Sequence, residues 1–133
     1  MMHPTARLLI AATLFAPPLV VPQVAAAQGD PARGGKLFLQ CRACHTVGAA
    51  ERSGVGPNLN GVVGAKAATR AGYTFSPALT KSGIVWTSAQ LDAFLKRPSA
   101  LVPGTKMAFP GIAAPQNRAD VIAYLVTLKP AKQ

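Results

Sequence analysis

The clearest hydrophobic pattern lies near the end of the chain, where Val121, Tyr124, Leu125 and Leu128 fall at i, i+3, i+4 and i+7. That spacing predicts a helix with one buried face, starting near Pro115 and ended by Pro130. A second apolar group, Leu91, Phe94 and Leu95, follows Thr87 and Gln90, which are spaced as a capping box, and Pro98 is expected to stop this helix. Asp30-Pro31 reads as an N-cap with proline at N1, opening a helix through Gly34, Leu37, Phe38 and Cys41. Ser76-Pro77 repeats the same start, and Gly83 closes a helix of about two turns.

Between these helices, residues 46–75 and 98–114 are rich in Gly and Pro and show no useful strand alternation. Irregular stretches longer than about 15 residues usually wrap something in a compact domain or are disordered. Val55, Leu59, Val62, Val63, Tyr73 and Phe75 recur along the first stretch, which favours wrapping. The pattern is that of an all-α protein whose core lacks its middle.

The start of the chain has a different character. Arg7 is its only charged side chain before Asp30, an apolar run Leu8–Ala16 follows, and Ala25-Ala26-Ala27 closes it. This predicts a secretory signal peptide over residues 1–27, with Ala25 and Ala27 at the small-residue positions of the cleavage site. Pro17, Pro18 and Pro22 argue against the alternative of an uncleaved membrane anchor. Residues 28–133 would then form a single domain in an oxidising compartment, the periplasm.

Removing that segment changes the composition where it matters. The whole chain has 133 residues, two cysteines, two histidines and three methionines; residues 28–133 keep Cys41, Cys44, His45 and Met107 alone. Two cysteines cannot build a disulfide-dense scaffold, and 50% hydrophobic residues is too many for a disordered chain.

Cys41-Arg42-Ala43-Cys44-His45 is C-x-x-C-H, the attachment signature of c-type haem. Two thiols three residues apart sit on one side of a helical turn, where they can add to the two haem vinyl groups. The following histidine is then held under the iron. A thioredoxin-like redox pair would need flanking strands, and none is visible. A zinc site needs four ligands where the chain offers three good ones. A plain disulfide would be tight and would leave His45 unexplained.

The sixth iron position asks for another ligand. Met107 lies 62 residues after His45, in the loop segment Pro103-Gly104-Thr105-Lys106-Met107. A thioether there would raise the reduction potential relative to more basic ligation. The competing role is that of a core gap-filler. With both axial positions taken by protein, the iron has no site for substrate, which favours electron transfer over catalysis.

These residues carry a resemblance. The chain is similar to class I c-type cytochromes, the group of small soluble bacterial and mitochondrial cytochromes c, over nearly all of residues 29–128. Besides Cys41–Thr46, the matching motifs are Gly56-Pro57-Asn58-Leu59-Asn60-Gly61, Gly72-Tyr73-Thr74-Phe75-Ser76, Trp86, Pro103–Met107 with Phe109, and Arg118–Leu125. The resemblance implies an all-α fold of several helices and long loops wrapped around one covalent haem c. It implies that the Pro57 carbonyl accepts the His45 N–H, and that Trp86 reaches a haem propionate unless it is an ordinary core tryptophan. It also implies that Gly34 and Phe38 meet Val121, Tyr124 and Leu125 where the first and last helices cross. The cofactor-binding set is thus Cys41, Cys44, His45, Met107, Pro57, Trp86 and Phe109, with His45 and Met107 on the iron.

The chain departs from the family pattern at three places. Phe75 and Phe94 stand where tyrosines are frequent, and Ala65 stands where an arginine is frequent. Arg70 or Lys66 is expected to replace that missing cation.

Charge narrows the partners. Fourteen basic residues against four acidic give +10, or +9 once Arg7 is gone. Lys96-Arg97 is the sole adjacent basic pair, so no nucleic-acid stripe is present, and the apolar helix faces are needed for the core rather than a membrane. The surplus reads as a docking surface for acidic redox partners, and the family resemblance implies that Lys106 and other lysines surround the haem edge beside Ala43 and Ala108. The expected function is a monomeric periplasmic one-electron carrier of a respiratory chain. It would run between a cytochrome bc-type complex and a terminal oxidase, reductase or dehydrogenase. The alternatives are a dedicated electron-accepting subunit of a periplasmic dehydrogenase, or a haem peroxidase or sensor with a labile Met107.

Overall fold

The computed structural model describes residues 28–128, and the expected signal peptide and Pro130 lie outside them. The described residues form five α-helices: α1 Pro31–Leu37, α2 Pro77–Lys81, α3 Ser88–Lys96, α4 Pro98–Leu101 and α5 Pro115–Thr127. A 3-10 helix, Phe38–Ala43, continues α1. Among the described residues the extended pairing is a single bridge, Lys66 with Val85. The all-α expectation holds.

Each helix starts for a local reason. The Asp30 carboxylate accepts the Ala32 and Arg33 amides ahead of α1, at 2.8 and 3.2 Å. The Ser76 hydroxyl accepts the Leu79 amide ahead of α2. At α3 half of the expected capping box forms. Thr87 accepts from the Gln90 amide, but its own amide donates to the Val85 carbonyl at 2.7 Å, so the return bond has no donor.

Three elements differ from expectation. Helix α2 spans five residues, because the Ser82 hydroxyl and amide both turn back onto the Leu79 carbonyl. Pro98 stops α3 and at once opens α4, since Arg97 ahead of it is extended at φ −164°, ψ 92°. Val55 is 78% exposed and stands on a cavity rim instead of packing inside the loop.

The core begins where α1 crosses α5. Phe38, 1% exposed, meets the Tyr124 ring at a centroid distance of 5.1 Å, and Val121 and Leu125 are buried beside it. Burying one such side chain is worth ~1.5–3 kcal/mol. A Cβ on Gly34 would fall 1.9 Å from the Asp120 carbonyl oxygen, so this crossing requires glycine. Helix α3 adds Leu91, Phe94 and Leu95, with Phe94 against Trp86 at 4.9 Å. The Lys66–Val85 bridge anchors the long loop: Ala67 N–H donates to Ile84 O and Trp86 N–H to Ala65 O, at 2.8 and 2.9 Å.

Candidate haem site

The 3-10 winding after Leu37 sets the first element of the site. With about three residues per turn, side chains at i and i+3 eclipse. Cys41 and its cap residue Cys44 therefore lie over one another on one side of the turn, closed by the Cys44 and His45 amides on the Cys41 carbonyl. The two thiols are not bonded to each other. Burial, and then the neighbouring Cys44, pushes the Cys41 thiol up from its ordinary pKa.

His45 follows directly. Its Nδ1 lies 2.7 Å from the Pro57 carbonyl oxygen. A carbonyl can only accept, so Nδ1 carries the proton and Nε2 keeps its lone pair for a metal. The backbone at Gly56 lies on the face of the ring: a Cβ there would fall 2.6 Å from Cε1 and 2.8 Å from Nδ1.

Met107 arrives from the segment after α4. Gly104, at φ 88°, turns the chain, and the Met107 amide donates to the Thr105 hydroxyl at 3.3 Å. Lys106 Nζ donates to the Thr74 carbonyl at 2.9 Å, tying this segment to the loop that carries Tyr73 and Phe75. The Tyr73 hydroxyl in turn donates to the Val55 carbonyl at 3.0 Å. Three loops are therefore fastened to one another around a common opening.

That opening leads into a cavity of about 1200 Å³. All seven residues nominated from the sequence line it: Cys41, Cys44, His45, Pro57, Trp86, Met107 and Phe109. Leu59, Val62, Leu91 and Leu125 make its wall apolar, while Lys66 and Arg70 place cations there. The volume exceeds the ~300–1,000 Å³ of ordinary small-molecule clefts. Its donor set of two thiols, an imidazole and a thioether fits a large, flat, apolar iron cofactor with covalent tethers.

Other uses of the C-x-x-C pair find no support. Among the described residues there are no strands to build a thioredoxin-like unit, and no three His, Cys, Asp or Glu side chains converge to hold a bare metal ion.

Hydrophobic patterning missed a polar cluster beside His45. Asn58 and Asn60 are buried and hydrogen-bonded to the segment following the histidine. Their only sequence signal was their place beside Pro57. It also missed Asp120 and Arg118, buried charges inside the helix that the apolar stripe defined.

Comparisons with known proteins agree with this geometry. The sequence model of the family described as cytochrome c matches residues 31–129. Cytochrome c2 of Rhodomicrobium vannielii is 52% identical over 101 residues, 76% of this chain and 81% of the relative. Cytochrome c-554 of Methylosinus trichosporium is 48% identical over 76% of each chain. Among solved structures, cytochrome cH from Methylobacterium extorquens superimposes with a TM-score of 0.71 at 54% identity, covering 74% of this chain and 99% of that one. With a two-thiol motif, an imidazole and a thioether on one apolar cavity, the chain belongs to the cytochrome c family and is an electron carrier with a covalently attached c-type haem.

Proposed function

We propose that residues 28–133, freed of a signal peptide at 1–27, act as a periplasmic one-electron carrier with His45 and Met107 as the axial ligands of its haem. One observation carries this reading. The sole histidine and sole methionine of that segment, 62 positions apart, both stand on the wall of the cavity that holds the two thiols. Haem iron supplies the one-electron chemistry when bound.

The chain's own residues orient the ligands and exclude water. Pro57 fixes the His45 tautomer, and the Thr74–Lys106 tie holds the Met107 segment against the cavity. Trp86 and Phe109 close the apolar wall. Arg70 is the cation for the cofactor's carboxylates: its guanidinium is on the cavity wall and already donates to the Asn60 carbonyl. Lys66 stands on the same wall as its neighbour in charge.

The basic surplus serves docking. Asp30 and Glu51 accept backbone amides, Asp92 pairs with Arg118, and Asp120 pairs with Arg33. Each of the four carboxylates is thereby committed inside the chain, so the other basic side chains are left to face acidic redox partners such as a bc-type complex or a terminal oxidase. No helix among the described residues is long and apolar enough to cross a membrane. A redox titration of the holoprotein tests the carrier reading. One reversible one-electron wave is expected, and turnover of peroxide or tight binding of exogenous ligands by the native protein would contradict it.

A further inference from the structure

The segment Gly56-Pro57-Asn58 meets His45 in three ways. Gly56 lies on the imidazole face, the Pro57 carbonyl accepts the Nδ1 proton, and Asn58, 4% exposed, bonds through its side chain to the residues after His45. The Asn58 side chain is saturated with hydrogen bonds. Its Nδ2 shares its two hydrogens among the Thr46 hydroxyl at 2.9 Å, the Gly48 carbonyl at 3.0 Å and the Glu51 carbonyl at 3.2 Å. Its Oδ1 accepts the Asn60 amide at 2.8 Å, and its own amide donates to the Ser53 hydroxyl at 3.0 Å.

The orientation of this amide is fixed by its partners. The Asn60 N–H can only donate, so it must meet Oδ1, and two carbonyls can only accept, so they must meet Nδ2. The Thr46 hydroxyl spends its proton on the Arg52 carbonyl, which leaves it an acceptor for Asn58.

The residues Asn58 grips are those that directly follow His45, namely Thr46, Gly48 and Glu51. One side chain therefore fastens the strand of backbone carrying the imidazole to the strand carrying its acceptor. Among the described residues no other side chain joins these two segments at three points. Hydrogen bonding at the far nitrogen of a ligating histidine raises its basicity, and groups that hold the acceptor control that effect.

We infer that Asn58 is a positioning residue that sets the strength of the His45–Pro57 hydrogen bond and, through it, the reduction potential. The inference rests on His45 being an axial ligand. A stronger bond makes the imidazole a better donor and favours the oxidised protein, so loosening it raises the potential.

The test compares Asn58→Ala with Asn60→Ala in the holoprotein. The Asn60 side chain is also buried, but it crosses to the segment after His45 at one point only, donating to the Val47 carbonyl at 3.0 Å, where Asn58 crosses at three. Two quantities are read: solvent exchange of the His45 Nδ1 proton by NMR, and the midpoint potential. For Asn58→Ala, exchange is expected to be about tenfold faster and the electron equilibrium to shift about threefold toward the reduced protein. Asn60→Ala is expected to lower Tm yet leave both quantities within about twofold of wild type. Equal behaviour of the two variants in both quantities would overturn the inference, whatever their Tm values. If Asn58→Ala yields no holoprotein, Asn58→Ser is read against Asn60→Ala by the same rule, with values between alanine-like and wild type expected. Failure of the underlying ligand reading is separately visible, because oxidised wild type would then lack hyperfine-shifted His45 resonances.

Discussion

Arg33 holds Asp120 with two parallel hydrogen bonds, Nε to Oδ2 at 2.8 Å and Nη2 to Oδ1 at 2.9 Å. The carboxylate is 1% exposed and also accepts the Asp30 amide and the Gln116 side chain. It joins the start of α1 to the middle of α5, the crossing on which the fold is built.

This pair predicts a pH dependence of stability. The Arg33 hydrogen bonds, then the Asp30 amide, hold the Asp120 carboxyl well below the usual aspartate range. Such a group contributes stability that is present above its unfolded pKa of about 3.9 and lost as pH falls below that value. Arg33→Ala is therefore expected to destabilise the holoprotein more at pH 7 than at pH 3. Denaturant unfolding at both pH values checks it; an equal loss at both would show that the pair contributes no linkage.

The helix crossing predicts opposite outcomes for two adjacent glycines. Alanine at Gly34 would drive its Cβ to within 1.9 Å of the Asp120 carbonyl oxygen, whereas at Gly35 it would make ordinary contact with the Tyr124 ring at 3.4 Å. Gly34→Ala is expected to cost about 3 kcal/mol or more through forced separation of the helices. Gly35→Ala is expected to stabilise by up to about 1 kcal/mol through helix propensity. Thermal unfolding of the two variants decides.

The cations on the cavity wall predict a shift in potential. A positive charge near the cofactor's carboxylates disfavours the oxidised state, so removing it lowers the potential. Arg70→Ala is expected to lower it by about 30 mV, roughly a threefold change in a one-electron equilibrium. Lys66→Ala is expected to shift it less. An unchanged potential and pH dependence in the double variant would remove both residues from the site.

The docking reading predicts a positional effect on rate. Lys106 lines the cavity opening and Lys36 lies on α1 outside it. With an acidic redox partner at low ionic strength, Lys106→Glu is expected to slow second-order electron transfer about tenfold, and Lys36→Glu about twofold or less. Both effects shrink at high salt. Stopped-flow kinetics across a salt series measures them, and equal slowing by the two would make the effect one of net charge alone.

Legibility of the sequence followed the physics of each feature. Helix starts at Asp30, Ser76 and Thr87 were readable because a cap and its proline or donor amide lie within a few residues of each other. Cys41, Cys44, His45 and Met107 were readable because rare chemistry, two thiols with one imidazole and one thioether, leaves few assignments, whereas Pro57, Trp86 and Phe109 came from the family resemblance alone. Helix α4 was not, since Pro98 is equally a stop and a start, and only the extended Arg97 settles which. Val55 looked like core because patterning records apolarity and not which way a loop faces. Asn58 and Asp120 stand in motifs that carry the family resemblance, but hydrophobic periodicity gave neither a buried role, because no apolar spacing encodes their polar partners, Thr46, Gly48 and Glu51 for Asn58 and the distant Arg33 for Asp120.

The central claim is that His45 and Met107 both bind the iron, and the oxidised holoprotein tests it most directly by visible absorption at neutral pH. A weak far-red charge-transfer band from thioether-ligated ferric haem is expected in wild type and should vanish in Met107→Ala. Its absence from wild type, or its survival in Met107→Ala, would contradict the account.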